Sequence, residues 1–257
     1  GDNRIVGGLI PETKSDVGLL QSIYVTEGKN ENTVDAQVNI SYNKHHKNYH
    51  PIFTDFLKRF GYYDIFLIDP ESGEIVYTVF KEIDYGTSLL TGPYAKTNFG
   101  DVFRKALTLK ENEVAIVDFE PYIPSFMAPA SFVATPIFVD GELIGVLAFQ
   151  MPVDKINQVM TGINDEQKKG FWPELGLGES GSIYMVGKDY RVKNEMRLWL
   201  EGGEVALEEL KSHGYDEAIL TNIRENEAAF GVLKYENPAS QNAFSQVAGT
   251  DESKNLL

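Results

Sequence analysis

Seven side chains in the middle of the chain, Tyr94, Lys96, Asp118, Tyr122, Ser125, Phe126 and Phe132, combine aromatic surface with hydroxyls and two charges. Aromatic walls desolvate a small polar molecule and a few placed polar groups orient it, so these residues are the candidate lining of a ligand-binding pocket. No catalytic, metal or cofactor site is expected beside them. His45, His46 and His50 fall on one helix, but a metal needs a third ligand that no residue indicates, so they read as a solvated helix face. Gly176-Leu177-Gly178-Glu179-Ser180-Gly181 fits GxGxxG but precedes a strand instead of joining a strand to a helix, and reads as a turn. No GxSxG elbow occurs, the chain has no cysteine nucleophile, and acidic pairs are too common here to imply glycosidase chemistry. A hydrolase of another kind would show carboxylates of perturbed acidity gathered at one site.

The elements that must hold these residues follow from hydrophobic spacing. Tyr49, Ile52, Phe53, Phe56, Leu57 and Phe60 recur at three and four, one face of a helix over residues 43–60 that Gly61 stops. Residues 65–68, a turn at 69–73 and residues 75–79 form a hairpin. A helix follows near 99–107, then strands at 114–119, 130–139 and 143–149, the last two joined by Asp140-Gly141. Alternation along the strands places Phe132, Ala134 and Pro136 on one face, with Tyr122, Ser125 and Phe126 at a strand end. Antiparallel strands interrupted by helices predict an α+β module with a five-stranded antiparallel sheet. The pattern restarts with a helix near 152–164, strands at 181–186, 191–192 and 231–235, and helices at 203–213 and 216–225. The expected organisation is an N-terminal segment over residues 1–42, one module over 43–160 and a second, incomplete module over 161–257.

A chain of 257 residues with 42% apolar content can build two cores of ordinary domain size. A net charge of -15 with no basic stripe disfavours nucleic acid or an anionic lipid surface as a partner. No run reaches the roughly 18–20 apolar residues of a membrane span, and the first residues carry neither a start methionine nor a secretion signal. The sequence therefore reads as a segment of a longer protein, with membrane spans expected on its flanks.

Residues 45–160 resemble the membrane-distal half of double-Cache (PAS-like) sensor domains. The stretches that carry the resemblance are HPIFTDFLKRFGYYDIFLIDPESGEIVYTVFKEIDYGTSLLTGPY and ATPIFVDGELIGVLAFQMPVDKINQVM, and GLGESGSIYMVGKDYRV is similar to the start of the membrane-proximal half. The resemblance implies two tandem PAS-like modules and an extracytoplasmic (periplasmic) sensor of a bacterial inner-membrane receptor, such as a histidine kinase, chemotaxis receptor or cyclase. It implies a small-molecule ligand in the distal module, no cofactor, and a homodimer in the intact receptor. Amino-acid-binding members carry an Arg before a Trp–Tyr or Trp–Phe pair; this chain has Gly92-Pro93-Tyr94-Ala95 there. Without that guanidinium the bidentate carboxylate clamp is missing, which argues against amino-acid recognition. The alternative expectation is a protein-partner module whose pocket is filled by its own side chains.

Overall fold

The computed structural model describes residues 14–26, 31–162, 172, 176–178, 181–226 and 229–247. It divides into two compact units, Gly1–Pro152 and Val153–Leu257.

The first unit contains helices α1 (Lys14–Gln21) and α2 (Ser41–Phe60), strands β1 (Asp64–Ile68) and β2 (Ile75–Thr78), helix α3 (Asn98–Ala106), short strands β3 (Ala115–Ile116) and β4 (Glu120–Pro121), and long strands β5 (Pro129–Val139) and β6 (Glu142–Met151). All pairings are antiparallel in the order β2-β1-β6-β5-β3, with β4 also pairing β5. The strand expected at 114–119 is broken: only 115–116 and 120–121 ladder onto β5, so the chain leaves the sheet between them. The β1–β2 turn is set by Asp69, whose carboxylate accepts from Ser72 N–H and Oγ–H, and by Gly73 at φ 70. Asp140 and Gly141, at φ 53 and 84, provide the two left-handed positions that a two-residue hairpin of type I′ requires.

The sheet buries both faces at its β1 side. On the inner face Phe66 and Phe132 pack with Phe99 of α3, the Phe99 and Phe132 rings stacking at 4.2 Å. On the outer face α2 covers Tyr77. Here the structure corrects the expected helix face. Tyr42, Asn43, His46, His50 and Leu57 point inward, while Ile52 and Phe60 stay exposed. His46 and His50 are therefore not solvated: they are buried, stack on each other at 4.4 Å, and sit among Tyr24, Tyr42 and Tyr77. A neutral imidazole is a flat ring with one donor and one acceptor, and it packs among tyrosines as an aromatic. Apolar spacing alone gives such a residue no weight. Leu20, Ile23, Tyr24 and Ala36, from the segment before residue 43, join this same core.

The second unit holds helices α4 (Val153–Thr161), α5 (Arg197–Gly202), α6 (Glu204–Ser212), α7 (Glu217–Asn226) and α8 (Pro238–Val247). Its core is built on Val192, Met196, Leu207, Leu210, Leu220, Ile223 and Leu233. The strands expected at 181–186, 191–192 and 231–235 reduce, among the described residues, to isolated bridges pairing Val186 with Val192 and Arg191 with Lys234. The turn at the GxGxxG match is pinned by buried Arg197, whose Nη1 donates to the carbonyls of Gly178 and Gly181 at 3.0 and 2.9 Å. Those carbonyls are thus used internally, as a structural turn requires. No described helix is long and apolar enough to cross a membrane.

Candidate functional site

Strand register builds the site's floor. Asp64 on β1, Gln150 on β6 and Phe132 on β5 are successive partners across the ladder, so the three lie in one row on the inner face. Two segments close over that row.

The first segment is Lys81–Thr87. Lys81 takes a left-handed backbone at φ 60, which turns the chain off β2. Ile75 and the segment then exchange backbone bonds, Gly86 N–H to Ile75 O at 2.9 Å and Ile75 N–H to Thr87 O at 3.0 Å. Thr87 N–H and Oγ–H both bond the Asp84 carbonyl, which fixes the Asp84 side chain inward. The second segment is Tyr122–Ala128, a loop closed on itself by Tyr122 N–H to Ala128 O and Met127 N–H to Tyr122 O. Phe126 and Met127 both stand at positive φ, a strained choice for side-chain-bearing residues. The effect is to turn Tyr122 and Ser125 into the core and Phe126 out of it.

Together these segments bury a polar network. The Tyr122 hydroxyl donates to Asp84 Oδ2 at 2.7 Å. The Ser125 hydroxyl donates to Glu82 Oε2 and accepts from Gln150 Nε2, both at 3.0 Å, while Tyr63 donates to Glu82 Oε1 at 2.9 Å. Asp64 is saturated by Thr78 Oγ–H and the N–H groups of Ile65 and Val79. Asn98 at the start of α3 donates from Nδ2 to the carbonyls of Asp118 and Ala130, tying the helix to the sheet edge. Within this network Asp84 Oδ1, Gln150 Oε1 and Asn98 Oδ1 are buried without a partner. Because Ser125 gives its proton to Glu82, it can only accept from Gln150, which fixes the amide so that the oxygen is the unbonded end.

Electrostatics follow from this burial. Desolvation pushes the Asp84 carboxyl up to about 8, against the pull of the Tyr122 hydroxyl and helped by Asp64 and Glu82. Desolvation raises Glu82 to about 7 and Asp64 to about 6. Lys81 is lowered to about 7 by desolvation, opposed by Asp64. Its ammonium bonds the Thr78 carbonyl and lies 4.2 Å from the Tyr77 ring centre, on the side of the sheet that α2 covers. Desolvation also lowers His46 to about 2 and His50 to about 4, so both outer-face rings are neutral at pH 7.

Of the seven residues singled out in the sequence, the structure brings four together. Tyr122, Ser125 and Phe132 are buried in the network, and Tyr94 packs its ring 5.9 Å from that of Tyr122. Gly92 makes that placement possible, since a Cβ there would lie 2.5 Å from the Ser88 carbonyl oxygen. The other three stand apart. Phe126 is 91% exposed, directed outward by its left-handed backbone. Lys96 and Asp118 are on the surface, and Asp118 contributes its backbone carbonyl to Asn98. Sequence reasoning missed Asp64, Glu82, Asp84, Asn98 and Gln150. The available signal was the charged run Lys81-Glu82-Ile83-Asp84 shortly after a fully buried strand, a place where burial of the turn is decided by tertiary contacts.

A cluster of carboxyls with raised pKa also fits acid–base chemistry, but the paired-carboxylate mechanism of glycoside hydrolysis needs two carboxyl groups that meet substrate and water. Asp64 and Glu82 have both oxygens engaged, leaving one oxygen of Asp84. A separate cavity of about 310 Å³ opens beside α2, lined by Glu31, Val34, His50, Thr54, Asp55 and Lys58. His50 Nε2 there is already bonded to the Glu31 carbonyl at 2.8 Å, and the groove holds none of the unpartnered atoms. Among the described residues no group of three potential ligands could hold a metal.

No protein-family model matches the chain, and no curated protein matches it. Solved structures similar to it include sensor and ligand-binding domains of histidine kinases and chemoreceptors. The ligand-binding domain of the Pseudomonas aeruginosa PAO1 amino acid chemoreceptor PctC, in complex with GABA, shares 10% identity at a TM-score of 0.37, over 77% of this chain and 72% of that one. A domain of a putative sensory box/GGDEF family protein from Vibrio parahaemolyticus shares 14% identity at a TM-score of 0.39, over 74% and 72%. The V. cholerae histidine kinase DctB sensor domain shares 14% identity at a TM-score of 0.33, over 56% of this chain and 53% of that one. The chain thus spans about half the length of the DctB domain that it matches.

Proposed function

We propose that the first unit is the ligand-binding half of an extracytoplasmic sensor domain from a bacterial membrane receptor. A small molecule occupies the inner face of its sheet, against Tyr122 and Phe132. The observation that carries this reading is the pair of unpartnered oxygens, Asp84 Oδ1 and Gln150 Oε1, buried beside that aromatic wall. An orphaned buried polar atom costs about 1–3 kcal/mol, a cost that is recovered when a bound molecule supplies the missing partner. The motif resemblance of residues 45–160 supports the placement of such a domain outside the cytoplasm. It also supports flanking membrane spans, a homodimer in the intact receptor and an output such as a histidine kinase. Binding shifts the receptor between states only by the difference in affinity for them.

A thermal-shift screen of small metabolites against the chain tests the reading. A compound that stabilises wild type and loses its effect with Tyr122→Phe or Phe132→Leu is the expected result. No stabilising compound, or one whose effect survives both substitutions, contradicts it. The exposed apolar residues Ile52 and Phe60 on α2 favour a second reading, in which the unit docks a protein partner and its inner face stays filled.

A further inference from the structure

We infer that the chain self-associates through two unlike patches, the Tyr122–Ala128 loop of one copy seating its apolar side chains on the exposed stripe of α2 of another. On the loop Ile123, Phe126 and Met127 are each more than half exposed. On α2 the exposed residues Ile52, Phe56 and Phe60 follow one another at steps of four, which puts them on one face of the helix. Both patches are held in shape. Four backbone bonds of 2.9 to 3.1 Å tie residues 122–128 to one another, and Tyr122 and Ser125 anchor the loop from beneath. Glycine at 126 would make the same left-handed turn without strain, so the turn does not account for a phenylalanine whose ring stands in solvent. The Phe56 ring packs 4.4 Å from that of Phe60 and 5.8 Å from that of Phe149. Docking two preformed surfaces leaves few side chains to order, which lowers the entropic cost of the contact.

Charge selects the partner. Between Lys110 and Lys155 the chain has seven Asp or Glu and no Lys or Arg, and two of those acids, the exposed Asp118 and Glu120, stand just ahead of the loop. A face that receives the loop is therefore apolar and basic. Helix α2 is that combination: in a chain of net charge -15 it carries Lys44, Lys47, Lys58 and Arg59 against a single acid, Asp55. Arg59 pairs with Asp55 at 2.8 Å, so Lys58 is the cation beside the stripe that meets a carboxylate of the loop. A contact of α2 with a second α2 would instead bring like charges together, which disfavours it. The inner face of the sheet takes no part, so this contact and the ligand-binding reading stand or fall separately.

The test is sedimentation velocity on the full chain from about 5 to about 500 μM, at low and at high salt. The expected result is a mass that rises with concentration, less so at high salt. Phe126→Gly and Phe60→Gln should each weaken the association about tenfold or more. An equal mixture of these two variants should regain it, because one keeps an intact helix and the other an intact loop. Lys58→Glu should weaken association by a similar factor, and adding Glu120→Lys to the same chain should restore it. These last two substitutions exchange exposed side chains only, so they read the contact without touching the core. A monomer at every concentration overturns the proposal. Association that survives Phe126→Gly, or that is indifferent to both salt and Lys58→Glu, assigns the contact to other surfaces and overturns it as well. A mixture of the two variants that stays monomeric shows that loop and helix do not meet, with the same consequence.

Discussion

Asp84→Asn separates the energetic burden of the buried carboxyl from the histidine and lysine titrations of the chain. In the folded state Asp84 keeps its proton until about pH 8, whereas in the unfolded chain it loses the proton near the ordinary value of about 3.9. Its folded pKa is raised, so its contribution to stability is complete below about pH 4 and is lost as pH rises toward 8. Through that window folding takes up one proton, and stability falls by about 1.4 kcal/mol per pH unit from this group alone. Between pH 5 and pH 8 the sum is roughly 3–4 kcal/mol. The amide mimics the neutral acid and still accepts from Tyr122, so below about pH 4 the variant should match wild type within about 1 kcal/mol. Its advantage at pH 8 should exceed its advantage at pH 5 by roughly 3–4 kcal/mol. Urea denaturation at pH 5, 6.5 and 8 measures that gain. Taking the difference between variant and wild type cancels His46 and His50, whose depressed values act below pH 6.5, and Lys81, which acts above pH 7, while Asp64 and Glu82, whose charges act on Asp84, keep a share of the difference. Parallel pH profiles for the two proteins would refute the assignment of Asp84 as a buried neutral acid.

Three further outcomes are expected. His50→Gln should flatten the acid limb: the folded ring resists protonation down to about pH 4, so wild type loses up to about 1.4 kcal/mol per pH unit as pH falls below 6.5, and urea midpoints at pH 4.5 and 6.5 read the change. Phe126→Gly should raise the Tm by a few degrees, because glycine accepts φ 54 without strain and the lost ring is exposed, while Phe126→Val should lower it. Phe132→Ala should cost about 3–5 kcal/mol in the same denaturation assay, since the ring is fully buried between Phe99 and Tyr122 and leaves a cavity.

Much of the first unit was legible because its strands are short apolar runs bounded by turn residues and its turns carry their own chemistry. Asp69 with Gly73 and Asp140 with Gly141 each fix a hairpin locally, so the β1–β2 and β5–β6 pairings follow from a few residues. What could not be read was decided by contacts distant in sequence. The inward face of α2 is chosen by Tyr24 and Tyr77, which receive His46 and His50, and no periodicity in residues 41–60 announces that choice. The third strand is interrupted at 117–119, where the Val117 and Asp118 carbonyls accept from the side chains of Ser131 and Asn98, and the Tyr122–Ala128 loop beyond it carries its hydroxyls inward. In the second unit the runs at 181–186 and 231–235 each meet residues 191–192 through a single bridge among the described residues, so strand-like composition does not become a sheet. At the site, aromatic and hydroxyl residues were the visible half. The carboxylates that answer them lie 38 residues away for Asp84 and 43 for Glu82, measured from Tyr122 and Ser125, a separation that only the folded chain closes.

The most direct measurement is an amide-resolved NMR titration of the isotopically labelled chain with mixtures of small amines, acids and polyols. The account predicts shifts concentrated at Asp84, Tyr122, Phe132 and Gln150 for at least one mixture. Shifts confined to Ile52, Phe60 and their neighbours on α2, or none in any mixture, would contradict a small molecule seated on the inner face.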